Sequence, residues 1–435
     1  MKLSKALVRC LVAGGALLTG TTALAATGVQ KQAAIDSGLA WLAAQQAGNG
    51  GWCQSGYCDA DTASAMLAFI EQRTKPAGWN GQDYSNTVTR GLQFLLDRAD
   101  LLATGTRTDG QLADQNGNGQ GLIWGAGEST YVTGMVLPAL SRAVTAGFVA
   151  PGDVVLSPNP WSGGKTWRTV IQDTVDTFLQ GQTTANNAVN PGYRGGWRYT
   201  PATGDSDGST AQWPVIGMTF AQTVPGVVVP AYTKQELKTW IDFIQSSANG
   251  ASGYNDPSGG IVPQSESKTG GLLVEMAFSG YDGNGGTPFD TGGLSNEAGA
   301  LGYLNANWQQ PPGGWTGNFG HPYAMWSVYK GLEATIGLND TTTITNLLGC
   351  GPLDPGTACN WWEDYSQYLV GTQAGDGSWN GYDYWPQDLA TAWYVNILNG
   401  TQVGPGPDLP EPASLALLGF GGLLLGGARR RRAPT

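Results

Sequence analysis

With 435 residues, 41% of them hydrophobic, the chain can bury the core of one large domain or of two or three ordinary ones. Charged residues make up 13%, against roughly 25% in an average globular protein, while 67 glycines and 17 tryptophans imply a surface of neutral polar and aromatic groups. The net charge of −11 and the absence of any Lys/Arg patch in the body of the chain exclude nucleic acid as a partner.

The predicted elements begin with a leader. Lys2, Lys5 and Arg9 stand ahead of an apolar run at residues 11–18, followed by Ala23-Leu24-Ala25. A basic start, a short apolar core and a small-x-small site predict a secretory signal peptide over residues 1–25, cut near Ala26. Cysteine use agrees with export. Cys10 leaves with the leader, and the other four fall into two local pairs, Cys53 with Cys58 and Cys350 with Cys359, expected as disulfides that staple loops. Four cysteines allow three disulfide connectivities, of which the local pairing is the one expected, and a four-thiolate zinc site is the rival arrangement.

A repeat fills the body of the chain. "WLAAQQAGNGGW" (41–52) and "YLVGTQAGDGSW" (368–379) share an order of aromatic, aliphatic, Gln, Gly and Trp at equal spacings: Gln46, Gly50 and Trp52, then Gln373, Gly377 and Trp379. Weaker copies lie between them. "RGLQFLLDRA" (90–99) keeps the helical half, and "VDTFLQGQ" (175–182) leads to Gly195, Gly196 and Trp197. "WIDFIQSSANGASGY" (240–254) ends in Gly253-Tyr254, and "GYLNANWQQPPGGW" (302–315) in Gly313, Gly314 and Trp315. Leu42, Leu95, Leu179, Ile244, Leu304 and Leu369 mark six copies, about 50 to 85 residues apart, enough for two helices and their loops. Each copy is followed by a more uniformly apolar helix that opens on a capping residue. Those six helices start near Asp59, Gly127, Asp207, Ser267, His321 and Asp388.

Six such pairs predict an all-α fold over residues 26–400, an (α/α)6 toroid in which buried inner helices alternate with outer ones and the last pair closes on the first. The two best-matching copies are the first and last, which closure makes neighbours.

The pattern Gly38-xx-Trp41-Leu42-xxx-Gln46-xxx-Gly50-x-Trp52 resembles the QW repeat of squalene cyclases and the related protein prenyltransferase repeat, across roughly residues 32 to 400. The resemblance implies a terpenoid-cyclase-like toroid in which each Gln ends an outer helix and a Trp stacks over it, tying one repeat to its neighbour. An amide can satisfy carbonyls orphaned at a helix C-terminus, and an indole can shield them from water.

In a toroid the inner helices start on one face. That gathers Asp59, Asp61, Glu128, Asp205, Asp207, Glu266, His321 and Asp388 at the mouth of a central cavity, with Trp124, Trp197, Trp213, Trp326 and Trp393 at similar heights. The acids and His321 are candidate catalytic groups and the tryptophans candidate ligand-binding surfaces. Each acid would also serve as a helix cap, worth about 0.5 to 2 kcal/mol. The motifs of the resembling family are incomplete. Terpene cyclases protonate an alkene from a DxDD-type motif, whereas "DADTA" (59–63) lacks the last Asp and "DSDGSTA" (205–211) carries Gly208 and Ser209 instead. No Asp-x-Cys accompanies His321, so the zinc of prenyltransferases is not expected, nor is any other metal or cofactor. His321 is the single histidine, and no Ser/His/Asp triad can be drawn from it beyond that residue.

The chain ends in a Gly/Pro linker (401–409), then Pro410, Glu411 and Pro412, an uncharged apolar helix at 413–428, and Arg429, Arg430, Arg431 and Arg432. This segment, 410–435, resembles a PEP-CTERM sorting signal. The resemblance implies export, transient inner-membrane anchoring through the apolar helix and processing by an exosortase-type enzyme. It places the mature protein in the periplasm, on the outer surface or outside a cell that makes exopolysaccharide. Setting both ends aside leaves 15 basic and 32 acidic residues, a body of net charge −17. Three functional classes stand: a binding module holding a glycan or a small apolar ligand, a glycoside hydrolase or polysaccharide lyase using mouth carboxylates, and a divergent terpenoid cyclase.

Overall fold

A computed structural model describes residues 26–260, 262–350 and 359–402. The expected signal peptide, most of the expected linker and the sorting segment, including the apolar helix expected at 413–428, lie outside the described residues. Among those described, no helix is long and apolar enough to cross a membrane.

The described chain is mostly helical. Its helices are α1 (Gly28–Gln45), α2 (Cys58–Arg73), α3 (Ser85–Asp97), α4 (Ser129–Thr145), α5 (Trp167–Gly181) and α6 (Gln212–Ala221). They continue as α7 (Ala231–Ile244), α8 (Glu266–Ser279), α9 (Glu297–Ala306), α10 (Pro322–Thr335), α11 (Trp361–Thr372) and α12 (Gln387–Leu398). The departure from an all-helical expectation is a short antiparallel ribbon between α3 and α4. There β1 (Asp100–Ala103) pairs with β2 (Gln120–Ile123), Asp100 opposite Ile123 and Ala103 opposite Gln120.

Burial separates most of the helices into two layers, the exception being α5, which is buried along most of its length and packs against β2 as well as α4 and α6. In α2 every residue from Asp59 to Gln72 is buried, and α6 is buried throughout, so these helices are surrounded by protein. In α1 only Ala34, Ile35, Gly38, Leu39 and Leu42 are buried, one stripe at the helical spacing, so its other face meets water. The even-numbered helices contact one another in order, α2 with α4, α4 with α6, α6 with α8, α8 with α10 and α10 with α12, and α12 returns to α2. The odd-numbered helices pack outside them. Glycines set how closely the inner helices approach: a Cβ on Gly270 of α8 would lie 2.6 Å from the Ser327 carbonyl oxygen of α10. At the centre, Trp213, Trp326 and Trp393 stack with ring centroids 5.9 Å (213 to 393) and 6.3 Å (326 to 393) apart. The void left beside them is about 10 Å³, room for one water at most.

Neighbouring repeats are joined by a repeated clasp. Gln46 Nε2 donates to the Gly50 carbonyl (2.8 Å) in its own loop and to Thr87 (2.9 Å) of α3. Gln182 does the same to Gly195 (2.9 Å) and Thr233 (3.0 Å) of α7, and Gln245 to Gly250 and Asn296 (both 2.9 Å), the cap of α9. Gln373 holds Gly377 and Ala34 of α1 (both 2.8 Å), joining the last repeat to the first. The indole makes the other half: Trp52, Trp124, Trp197 and Trp379 donate Nε1–H to Leu42, Leu95, Phe178 and Leu369 at 2.7–2.9 Å. It is therefore the indole that takes a carbonyl of its own outer helix, while the amide reaches to the next. The loop glycine must be glycine for two reasons. Gly50 and Gly377 both hold φ of +95°, and a Cβ on either would run into the backbone of the following outer helix, at Arg90 and Ser37 respectively.

Six full Gln–Trp clasps were expected, and the structure corrects that to four amides and four indoles. In the second copy Ala99 stands at the Gln spacing, and the preceding Arg98, the C-cap of α3, pairs with Asp59. In the fourth, Ser252 replaces Trp: its N–H donates to Thr269 Oγ1 (3.0 Å) just as the N–H of Trp52 donates to Thr62 (3.0 Å). In the fifth, the Trp308 indole bonds Asp364 (2.7 Å), and Trp315 is 50% exposed.

Candidate functional site

Above the tryptophan plug, at the end where the inner helices begin, lies an open cavity of about 470 Å³, within the usual size of a ligand site. Ser55 and Tyr57 come from the loop before α2, Glu128 and Tyr131 from the start of α4, and Ser267 and Lys268 from the first turn of α8. His321 and Tyr323 come from the start of α10 and Leu389 from α12. Connecting loops add Tyr199, Ser209, Tyr254, Trp315, Tyr384 and Trp385.

Aromatic contacts build the walls. Trp315 stacks on Tyr384 (5.4 Å, 10° between planes) and Tyr323 on Trp385 (5.1 Å, 14°). Tyr131 stacks on Tyr199 (5.7 Å), whose hydroxyl lies 2.6 Å from that of Tyr254. Trp315 and Tyr384, 50% and 70% exposed, stand free at the rim, whereas Tyr323 is held below by bonds to Ser209 O (2.7 Å) and Gln212 Nε2 (2.9 Å). The wall is thus built of flat aromatic faces and studded with hydroxyls.

Charge around the cup is sparse. Glu128 is the one carboxylate and Lys268 the one side-chain ammonium among the lining residues. Burial pushes Lys268 down to about 8 against the pull of Asp207 and Glu266. Burial likewise pushes His321 down to about 4, so its imidazole is neutral near pH 7. Its Nδ1 accepts the Ala324 N–H (3.4 Å) as the N-cap of α10, and its ring sits 4.7 Å from that of Trp385.

The other acids at the inner-helix starts are held in hydrogen bonds and ion pairs, five of them buried and Asp205 half-buried. Asp59 pairs with Arg98. Asp61 accepts from the Ser55 N–H (2.9 Å) and hydroxyl (2.7 Å), and Asp388 from the N–H groups of Gln54 (3.1 Å) and Leu389 (2.8 Å). The loop closed by the Cys53–Cys58 disulfide therefore ties α2 to α12 through two carboxylates. Burial raises Asp61 to about 7, with Asp388 adding to the rise, and burial raises Asp388 as well. Asp205 and Asp207 share Arg198 at 3.3 and 2.9 Å; Asp207 also accepts from Ser209 and Thr210, and its burial raises it. Glu266, raised by burial, accepts the Gly317 N–H (2.7 Å). None of these six acids lines the cup.

The candidate tryptophans divide in two. Trp124 and Trp197 are clasp indoles, and Trp213, Trp326 and Trp393 form the plug. Sequence reasoning passed over Tyr57, Tyr131, Tyr199, Tyr254, Lys268, Tyr384 and Trp385. A signal for part of this set was present. Threonines 62, 133, 269 and 391 each accept the N–H of the residue that closes the preceding loop. In each case the residue two before that threonine lines the cup: Ala60, Tyr131, Ser267 and Leu389. The second disulfide, Cys350–Cys359, joins the other expected pair, so the cysteines form two disulfides rather than a thiolate metal site.

No curated protein matches this chain. Residues 408–432 match the PEP-CTERM protein-sorting motif, the mark of an exported protein that is sorted to the cell envelope and processed by an exosortase.

Proposed function

We propose that this protein is an (α/α)6 toroid of the squalene-cyclase and protein-prenyltransferase repeat type, displayed in the envelope as a binding module that holds a glycan in its aromatic cup. The observation that carries this reading is the pair of stacked aromatic walls, Trp315 on Tyr384 and Trp385 on Tyr323, standing over a closed floor. Flat aromatic faces suit the C–H faces of a pyranose ring, and the surrounding Tyr and Ser hydroxyls suit its hydroxyls. The cyclic contacts of the inner helices, and the Gln373 bond from the last repeat to α1, support the toroid.

The direction of the cup supports a water-borne ligand over a membrane-dissolved terpenoid. Leu389 lines the cup near the start of α12, and nine residues of helix, about 14 Å, separate it from Leu398 at the other end. Beyond that end the Thr401 carbonyl accepts from the Tyr329 hydroxyl (2.9 Å) and from Lys330 Nζ. The chain thus departs toward the sorting segment from the side opposite the cup. Hydrolysis would call for two carboxylates flanking a bound sugar; one lines this cup, which favours binding.

The test is calorimetry of the exported protein with oligosaccharides released from its host's exopolysaccharide. Trp315→Ala and Trp385→Ala should each weaken binding about tenfold. Binding untouched by both changes would remove the cup from the reading, and release of new reducing ends would replace binding with hydrolysis.

A further inference from the structure

Lys268 is the third residue of α8, 3% exposed, and lines the cup. Its Nζ donates to Ser265 Oγ at 2.7 Å, and among the described residues no carboxylate is in ion-pair contact with it. Other enclosed cations are met more fully. Half-buried Lys165 sits 2.6 Å from Asp173, half-buried Arg142 2.6 Å from Glu71 and buried Arg107 2.8 Å from Asp109. Buried Lys330 donates to the Thr401 carbonyl and lies within 4.9–5.5 Å of the Phe220, Trp326 and Tyr329 ring centres. An ammonium carries three N–H donors, and holding one in a low-dielectric site with a single neutral partner is costly unless something else meets it. The open side of Lys268 is the cup.

We infer that the cup selects an acidic glycan, a pyranose bearing one carboxylate as in a uronate, and that this carboxylate docks on Lys268. The inference rests on the glycan reading above. A carboxylate would satisfy the free N–H donors in a charge-assisted pair. The starts of α2, α4, α8, α10 and α12 surround the same space, and their partial positive ends favour an anion there. Glu128, beside Tyr57 on the wall, opposes a second negative charge and so favours a single carboxylate over a polyanion. The tyrosine and serine hydroxyls favour a polyhydroxylated ring over a fatty acid, whose chain would leave them without partners.

The experiment is calorimetry of the exported protein at pH 6.5 with a glucuronate-containing tetrasaccharide and with its carboxyl-reduced counterpart. The acid should bind about tenfold more tightly than the reduced sugar. Lys268→Gln and Lys268→Met, checked for folding by thermal melting, should lose that preference. Wild-type protein binding both sugars equally, or either folded variant keeping the preference, overturns the role of Lys268 while the glycan reading stands. Failure of wild-type protein to bind either sugar takes the glycan reading down as well. A second arm needs no variant. The groups facing Lys268 are Glu266 on its own helix, Asp207 ahead of α6 and His321 at the start of α10. The Lys268 ammonium, pushed down to about 8 by burial, loses its charge between pH 6.5 and 10, so the preference should vanish across that range; persistence at pH 10 overturns the inference.

Discussion

The first and last copies of the repeat differ instructively from the fourth and fifth. In the terminal copies the loop glycine lies against the next outer helix and the aromatic after it is locked as an indole clasp, Trp52 on Leu42 and Trp379 on Leu369. In the fourth copy Ser252 takes the clasp position and Tyr254 lines the cup; in the fifth a longer loop carries Trp315 out to the rim. The same glycine-aromatic string thus builds the frame in the terminal copies and supplies cup wall in two different ways. In the fourth copy Gly250 still lies against Gly299 of α9 but Ser252 stands where the indole would, and in the fifth the loop at Gly314 is free of the next helix and carries Trp315 to the rim.

The sharpest way to break this contrast is to remove the aromatics. Trp379→Ala should cost about 3–5 kcal/mol, because Trp379 is 1% exposed and its indole is bonded within the joint. Trp315→Ala should change stability by less than about 1 kcal/mol while weakening ligand binding. Chemical denaturation measures both, and equal losses would erase the distinction.

Next come the glycines. Gly377 and Gly314 both hold positive φ, +95° and +63°, but a Cβ on Gly314 meets nothing within 4 Å, whereas one on Gly377 strikes Ser37. Alanine at 314 should cost about 1 kcal/mol for the backbone alone, and at 377 about 2 kcal/mol more for the collision. The difference in denaturation midpoint isolates the close approach from the conformational cost.

Gln373→Ala should cost about 1–3 kcal/mol, since it strands two carbonyls at the closing joint. The exposed Gln310 of the fifth copy should tolerate the same change within about 0.5 kcal/mol.

The smallest signal is expected from pH, as a difference between two melting profiles. The folded-state carboxyl of Asp61 is raised to about 7, so below the unfolded value near 3.8 its effect on stability is fully favourable. As pH climbs from about 4 to 7 the native state holds a proton that the unfolded chain has released, and the contribution is lost. Asp61→Asn should flatten this part of the profile relative to wild type. Parallel profiles would mean that Asp61 and Asp388 do not share their burial as the bonds to Ser55 and Gln54 indicate.

Much of the frame was legible. Glycine after an apolar stripe, a capping residue before the next, and short cysteine separations are local signals, and they located the helices and both disulfides. The site was far less legible. "DADTA" reads as a catalytic motif, yet Asp59 belongs to Arg98 and Asp61 to Ser55, while Ala60 between them faces the cup. "GGW" at 313–315 reads as a clasp, yet the joint there is built by Trp308 and Asp364.

The sequence by itself determined that helices come in pairs, where each stops, which cysteines meet and that the chain is exported, because each depends on residues close together along the backbone. Tertiary structure alone decided which side chains face the cup and which become plug, clasp or buried ion pair. The reason is geometric: one residue along a helix turns a side chain by about 100°, so a neighbour in sequence lands on another surface. Only the packing of the inner helices selects the surface that bounds the open space.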